Sequence, residues 1–297
     1  EDLTLRIAPE PAARPSAPLV VPAIPEQVDL GPLTLGIAEV RVRRAHVLYA
    51  PPGAPRVEVR GLGGLAAPGP GGLQVAAQAE AVELQVGGGR ETFQGVVLEG
   101  RLTPDALTVA RLAATWEGQP IAIQGEVYEL HTPPRLRFRV EARMDLARLA
   151  ARAGLAIPVQ GSADVQAEVR GEIGAPEVAG TIRAPRLTVG PVSARSALLR
   201  GSWAGGRLEL SEVRAQLWGG SLEGRGTILP AHLERTQAAA RLEGVSLQQA
   251  AAALGLAAVE GRLGGELEVA GDPRDPERLT GRFDLAAAAL LLPGRGR

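Results

Sequence analysis

The chain has 297 residues, 45% of them hydrophobic, and a formal net charge of −1. That apolar content excludes wholesale disorder, and the balanced charge lacks the basic surplus that a nucleic-acid backbone requires. Cysteine, lysine and asparagine are all missing, which excludes disulfides, thiolate chemistry, a P-loop lysine and a Schiff-base lysine within this segment.

Residues 1–29 are proline-rich, most of all PEPAARPSAPLVVPAIP at 9–25, and read as a linker or an edge segment. Residues 30–95 read as a β-sheet segment. Leu33, Leu35 and Ile37 alternate, then Val40 and Val42, then Val47 and Tyr49, and this period of two marks half-buried strands. Val57 and Val59 form a short strand, and GLGGLAAPGPGG at 61–72 is expected to be a loop. A long strand follows from Val75 to Val86, and Gly87, Gly88 and Gly89 are expected to end it.

From here the chain repeats. LTVARLAATWEGQPIAIQGEV, from Leu107, parallels LELSEVRAQLWGGSLEGRGTILP, from Leu208, with Trp116 and Gly118 in the places of Trp218 and Gly220. In the second copy Leu208 and Leu210 alternate with polar residues. The phase then slips, and Val213, Ala215 and Leu217 take over. Gly219-Gly220 is expected to turn the chain into a second arm carrying Leu222 and Ile228. Asp145 and Ser246, 101 residues apart, are good helix N-caps, and Gly154 and Gly255 are suited to end short helices. Gly161 parallels Gly261, Gly171 parallels Gly271, and Pro176-Glu177 parallels Pro276-Glu277 as a turn before the next strand. Residues 96–196 and 197–297 are therefore two copies of one unit, the second truncated. The chain opens at Glu1 and its one methionine is Met144, so it reads as a segment of a longer protein. No run of apolar residues is long enough to span a bilayer as a helix.

Catalytic patterns are weak. Gly219 to Gly224 misses the G-x-S-x-G spacing and sits in a hairpin rather than a strand-to-helix elbow. His46, His131 and His232 are scattered, with no second ligand at helical spacing. Asp272, Asp275 and Glu277 suggest calcium, but the prolines and arginines among them favour a solvated turn. Trp116 and Trp218 are expected to anchor packing at the hairpins. No enzyme, cofactor or metal is expected.

The hairpin Trp218-Gly219-Gly220 into Leu222–Ile228, the short capped helix and the turn from Gly271 to Gly281 resemble those of AsmA-like and TamB-like proteins of the Gram-negative envelope. The resemblance covers about residues 95 to 297, and 30 to 95 more loosely. It implies a periplasmic β-groove with a hydrophobic interior, held to the inner membrane by a helix outside this segment. It also implies phospholipid transport to the outer membrane, with an outer-membrane β-barrel as a partner through regions outside this segment.

The residues converge on the same expectation. Only 3% are aromatic, so a core is built from small side chains, and a sheet with one apolar face must bury that face against something. The expected fold is mostly β: an elongated, repetitive antiparallel sheet curled into a hydrophobic groove, with one short amphipathic helix per repeat of about 100 residues. Phospholipid acyl chains are the expected occupants. The expected lining is Leu208, Leu210, Val213, Leu217, Leu222 and Ile228, with Ile121, Ile123, Val165, Val169, Leu263, Leu267 and Val269 in the other strands. The alternative is a structural scaffold or assembly factor for outer-membrane proteins that works through its strand edges.

Overall fold

The structure, a computed structural model, describes residues 3–7, 27–29, 34–36, 39–50, 56–86, 89–131, 133–152, 157–256, 259–275 and 278–291. The proline-rich stretch 9–25, Gly154 and Pro276-Glu277 lie outside the described residues. The chain divides into two compact units, Glu1–Ala142 with Glu168–Pro176, and Arg143–Ala167 with Glu177–Arg297.

The first strands are β1 (Leu3–Ile7), β2 (Gln27–Asp29), β3 (Thr34–Gly36), β4 (Val40–Tyr49) and β5 (Arg56–Gly69). Then come β6 (Gly72–Val86), β7 (Gly89–Leu102), β8 (Ala106–Trp116), β9 (Gln119–Tyr128) and β10 (Arg135–Asp145). Helix α1 (Leu146–Arg152) precedes β11 (Val159–Glu172), β12 (Ala175–Val189), β13 (Val192–Ala204), β14 (Arg207–Leu217), β15 (Gly220–Ile228) and β16 (Gln237–Ser246). Helix α2 (Leu247–Leu254) leads to β17 (Glu260–Ala270) and β18 (Thr280–Leu291). Strands β2 and β3 form a small pair, and β1 joins β4 in parallel. The other strands follow chain order in an antiparallel sheet that does not close into a barrel. The mostly-β fold read from the sequence is the fold observed.

The phase slip at Leu210 is a β-bulge. Leu210 pairs with Gly226 and Val213 with Gly224, so Ser211 and Glu212 together face Arg225. The same irregularity falls between Val109 and Leu112, paired with Gly125 and Ile123, 101 residues earlier. Helix α2 is capped as its sequence implies. The Ser246 hydroxyl accepts the Gln249 N–H, Gly255 is left-handed at φ 67°, and the Leu256 N–H donates to the Ala251 carbonyl. Asp145 caps α1 by accepting the Ala147 N–H at 2.9 Å. Leu146, Leu149 and Ala150 face inward there, and Ala251 is the buried residue of α2.

Three local expectations are corrected. Residues 61–69 are not a loop but most of β5, and only Pro70 and Gly71 turn. The glycines there serve a strand: Gly61 is left-handed at φ 64°, and a Cβ on Gly64 would lie 2.9 Å from the Ala76 carbonyl. The hairpin turn is made by Trp218 and Gly219, both at positive φ (48° and 74°), because Leu217 already pairs with Gly220. Its counterpart is Glu117-Gly118, so Trp116 ends a strand while Trp218 occupies a turn. Finally, Pro176 and Glu177 lie within β12, since the turn closes at Ile173-Gly174.

Little of the sheet is deeply buried. Fifteen hydrophobic residues form the core among the described residues, ten of them alanine, and no polar side chain is buried with them. In the second unit Ala163, Ala184 and Ala197 form one cluster, with Leu146 of α1 packed against it.

Candidate functional site: an apolar sheet face

Register turns the alternation of single strands into apolar rows across the sheet. In the second unit Trp203, Leu208 and Ile228 form one row. In the next, Leu210 faces Gly201 on one side and Gly226 on the other, and Ala238 pairs with Val269. In a third, Leu199 faces Val213, and Ala240 faces Gly224 and Leu267. Leu222 faces Ala215 and Leu242. The first unit follows the same plan. Ile123 pairs with Leu112 and Val140, and Ile121 with Ala114 and Ala142.

Every lining residue expected from the sequence lies in a strand: Val165 and Val169 on β11, Leu217 beside Ala194 and Gly220, Leu263 beside Val245, and the rest on these rows. Ile121 and Leu217 are buried; Ile123, Val165, Val169, Leu208, Leu210, Val213, Leu222, Ile228, Leu263, Leu267 and Val269 are half-buried. Trp203 and Phe283 share the rows but were missed. Trp203 continues the alternation of Leu199 and Gly201, and Phe283 pairs with Leu267 and is 63% exposed.

The rows are not uniformly covered. Leu217 and Val245, 7% and 1% exposed, lie at the α2 end of the face, where α2 contacts β16 and β17. Away from the helix the larger side chains stay half-open; Leu210 has glycine on both sides, and Leu267 has Ala240 on one. Glycine also lets the strands approach closely: a Cβ on Gly201 would come within 2.6 Å of the Glu209 carbonyl, and one on Gly226 within 2.9 Å of that of Gln237. Among the described residues the only other sheet is the β2–β3 pair, so no second sheet fills this face as in a sandwich.

The opposite face is charged. Arg200 binds Glu212 at 2.8 Å, and Arg214 reaches both Glu212 and Glu223 at 3.0 and 3.3 Å. A concavity of about 850 Å³ in the second unit is lined by Leu210, Ala238 and Val269 as well as by Glu209, Glu268 and Arg282. In the first unit Glu58 is held below the usual glutamate range. The Arg60 guanidinium, 2.9 Å away, is the main cause, and His46 at 3.0 Å adds to it.

The residues of the catalytic patterns lie in strands and turns. Ser221 is a strand residue paired with Gln216 and Glu243. His232 lies 3.4 Å from Glu234. Arg274 binds both carboxylate oxygens of Asp272, holding that carboxyl below its ordinary range, and Arg278 lies 3.3 Å from Asp275. Glu277 lies outside the described residues. No three His, Cys, Asp or Glu side chains gather to hold a metal among the described residues, and no helix there is long and apolar enough to cross a membrane.

No protein-family model, curated protein or solved structure matches the chain.

Proposed function

We propose that this chain is a non-enzymatic segment whose apolar sheet face shelters lipid acyl chains as phospholipid moves between the inner and outer membranes. The observation that carries this reading is the half-open state of the rows through Leu210, Val213 and Leu222, which no second sheet covers among the described residues. Soluble proteins seldom leave an apolar surface of this kind uncovered unless something binds it. The mechanism is passive. Each methylene kept from water lowers the energy of a tail in transit by about 0.8 kcal/mol, and small residues opposite large ones leave room for that tail. The resemblance to AsmA-like and TamB-like proteins points to the periplasm. An inner-membrane anchor and an outer-membrane β-barrel partner, both outside this segment, belong to the same proposal.

The test is photocrosslinking in cells followed by lipid mass spectrometry. The crosslinker replaces Leu210, Val213 or Ala215 on the apolar face and Arg214 or Gln216 on the other. Buried Leu217 serves as a covered control. Lipid adducts confined to the three inward positions support the proposal. Protein adducts alone, or equal labelling of both faces, overturn it and leave a scaffold that works through its strand edges.

A further inference from the structure

Three of the registered cross-strand pairs set like charges directly opposite one another: Glu58 with Glu83, Glu266 with Asp284, and Arg186 with Arg195. Such pairs are unfavourable unless a countercharge joins them. The two acidic pairs have one. Arg60 bridges Glu58 and Glu83 at 2.9 and 2.8 Å, and Arg241 lies 3.7 Å from Glu266. The basic pair has none: neither arginine makes an ion pair with any described residue, and no carboxylate joins the two as Arg60 joins Glu58 and Glu83.

The surroundings of the pair are rich in neutral hydrogen-bonding groups. Arg195 faces Gln216 on β14. One step along the same face, the hydroxyls of Thr188 and Ser193 meet at 3.3 Å. Asp164 lies 3.9 Å from Arg143 and Glu243 lies 2.9 Å from Arg241. The backbone is also distorted beside the pair. Ser196 is held at φ 51°, and the β13–β14 register slips between Arg195 and Leu198. A bulge of this kind re-aims the adjacent side chain, and strain at a non-glycine residue persists where other contacts over-determine it.

We infer that Arg186 and Arg195, with the hydroxyls of Thr188 and Ser193, form a binding site for a phosphate-type oxyanion on the polar face of β12 and β13. Each guanidinium offers paired N–H donors, which suit a tetrahedral oxyanion, and the register sets the two arginines opposite one another on adjacent strands. The anion supplies the countercharge that no side chain provides. This site lies on the face opposite the apolar rows and does not depend on the acyl-chain reading. The shared chemistry is a phosphate group, which comes either from a soluble phosphate or from a lipid headgroup.

The test uses the full chain, the double variant Arg186→Gln/Arg195→Gln, and the control Arg225→Gln/Arg282→Gln, which removes the same charge elsewhere on the polar face. Inorganic phosphate is titrated while the melting temperature is followed, and retention is measured on phosphatidylcholine vesicles with and without phosphatidic acid. A saturable rise in Tm with inorganic phosphate, weakened about tenfold or more in the double variant and unchanged in the control, supports a site for a soluble anion. Retention only on vesicles with phosphatidic acid, lost in the same variant alone, supports the site with a lipid headgroup as its source. Without anion the double variant melts at or above the wild type, because a repulsion is gone. Arg195→Gln alone keeps Arg186 and shows the same loss of response. Absence of both responses, equal loss in the control, or a lower Tm of the anion-free double variant overturns the assignment. Inorganic phosphate has no acyl chain, so failure here leaves the apolar-face proposal standing, and the reverse also holds.

Discussion

Gly125 lies so close to Arg137 that the Arg137 carbonyl oxygen occupies the place a Cβ at position 125 would need. The φ of 146° at Gly125 is itself a conformation that suits glycine alone. Gly265 repeats the arrangement against Asp284, with a φ of 145°. These glycines set how closely the strands meet on the apolar face, and the residues they face determine how much of it stays open.

Gly125→Ala is therefore expected to lower stability by about 2–4 kcal/mol, combining strained φ with backbone overlap. Gly95 has a φ of 58° but nothing near its missing Cβ, so Gly95→Ala is expected to cost only about 1 kcal/mol. Urea unfolding of the two variants measures the difference, and equal losses would remove the role given to the close approach.

The α2 caps make a second prediction. Ser246→Ala deprives the Gln249 N–H of its acceptor and is expected to cost about 1 kcal/mol, whereas Ser246→Asp restores the cap. Gly255→Ala forces a Cβ into the left-handed region at a similar cost of about 1–2 kcal/mol. The readout is chemical denaturation, with helical content followed by circular dichroism.

How much of this was legible in sequence depends on whether the signal was local. Val213 breaks the alternation of Leu208 and Leu210, and one inserted residue reverses the face of all that follows, so the bulge could be read from the strand alone. The caps of α2 were legible for the same reason. The strand through Gly61, Gly63 and Gly64 was not, because glycines used for a bulge and for close packing look like glycines of a loop. The turn was misplaced by one residue because Trp218 takes the left-handed place that glycine normally takes. Trp116 and Trp218 align as letters, yet Trp116 donates its indole N–H to Glu91 from a strand end while the Trp218 carbonyl accepts the Ser246 N–H from a turn. The Arg186–Arg195 pair and the uneven cover of the apolar rows depend on register, which no single strand encodes.

Acid stability gives a third prediction. The folded pKa of Glu58 is lowered, chiefly by its hydrogen bond from Arg60 and further by His46. The stabilisation from Glu58 is then fully present above the unfolded glutamate pKa of about 4.3 and is lost as pH falls through the lower folded value. Glu58→Gln is expected to remove that part of the acid dependence and leave the rest. Arg60→Gln takes away the bridge between Glu58 and Glu83, so it is expected to raise the Glu58 pKa and move the acid loss to higher pH. Stability measured against pH in the three proteins tests this, and superimposable profiles would reject it.

The last prediction concerns whether the apolar face is filled or open. Ala184 is 2% exposed in the cluster with Ala163 and Ala197, where Leu146 of α1 packs. Ala238 lies on the row of Leu210 and Val269 but is exposed. Ala184→Leu has no space for its added methylenes and is expected to cost about 1–3 kcal/mol. Ala238→Leu adds the same atoms over an uncovered row and is expected to change stability by no more than about 0.5 kcal/mol. A large penalty at both sites would mean that the face is packed throughout, leaving no room for an acyl chain. A penalty at Ala184 alone would show that the face is packed beside Leu146 of α1 while the row of Ala238 stays available, the condition that tail shelter requires.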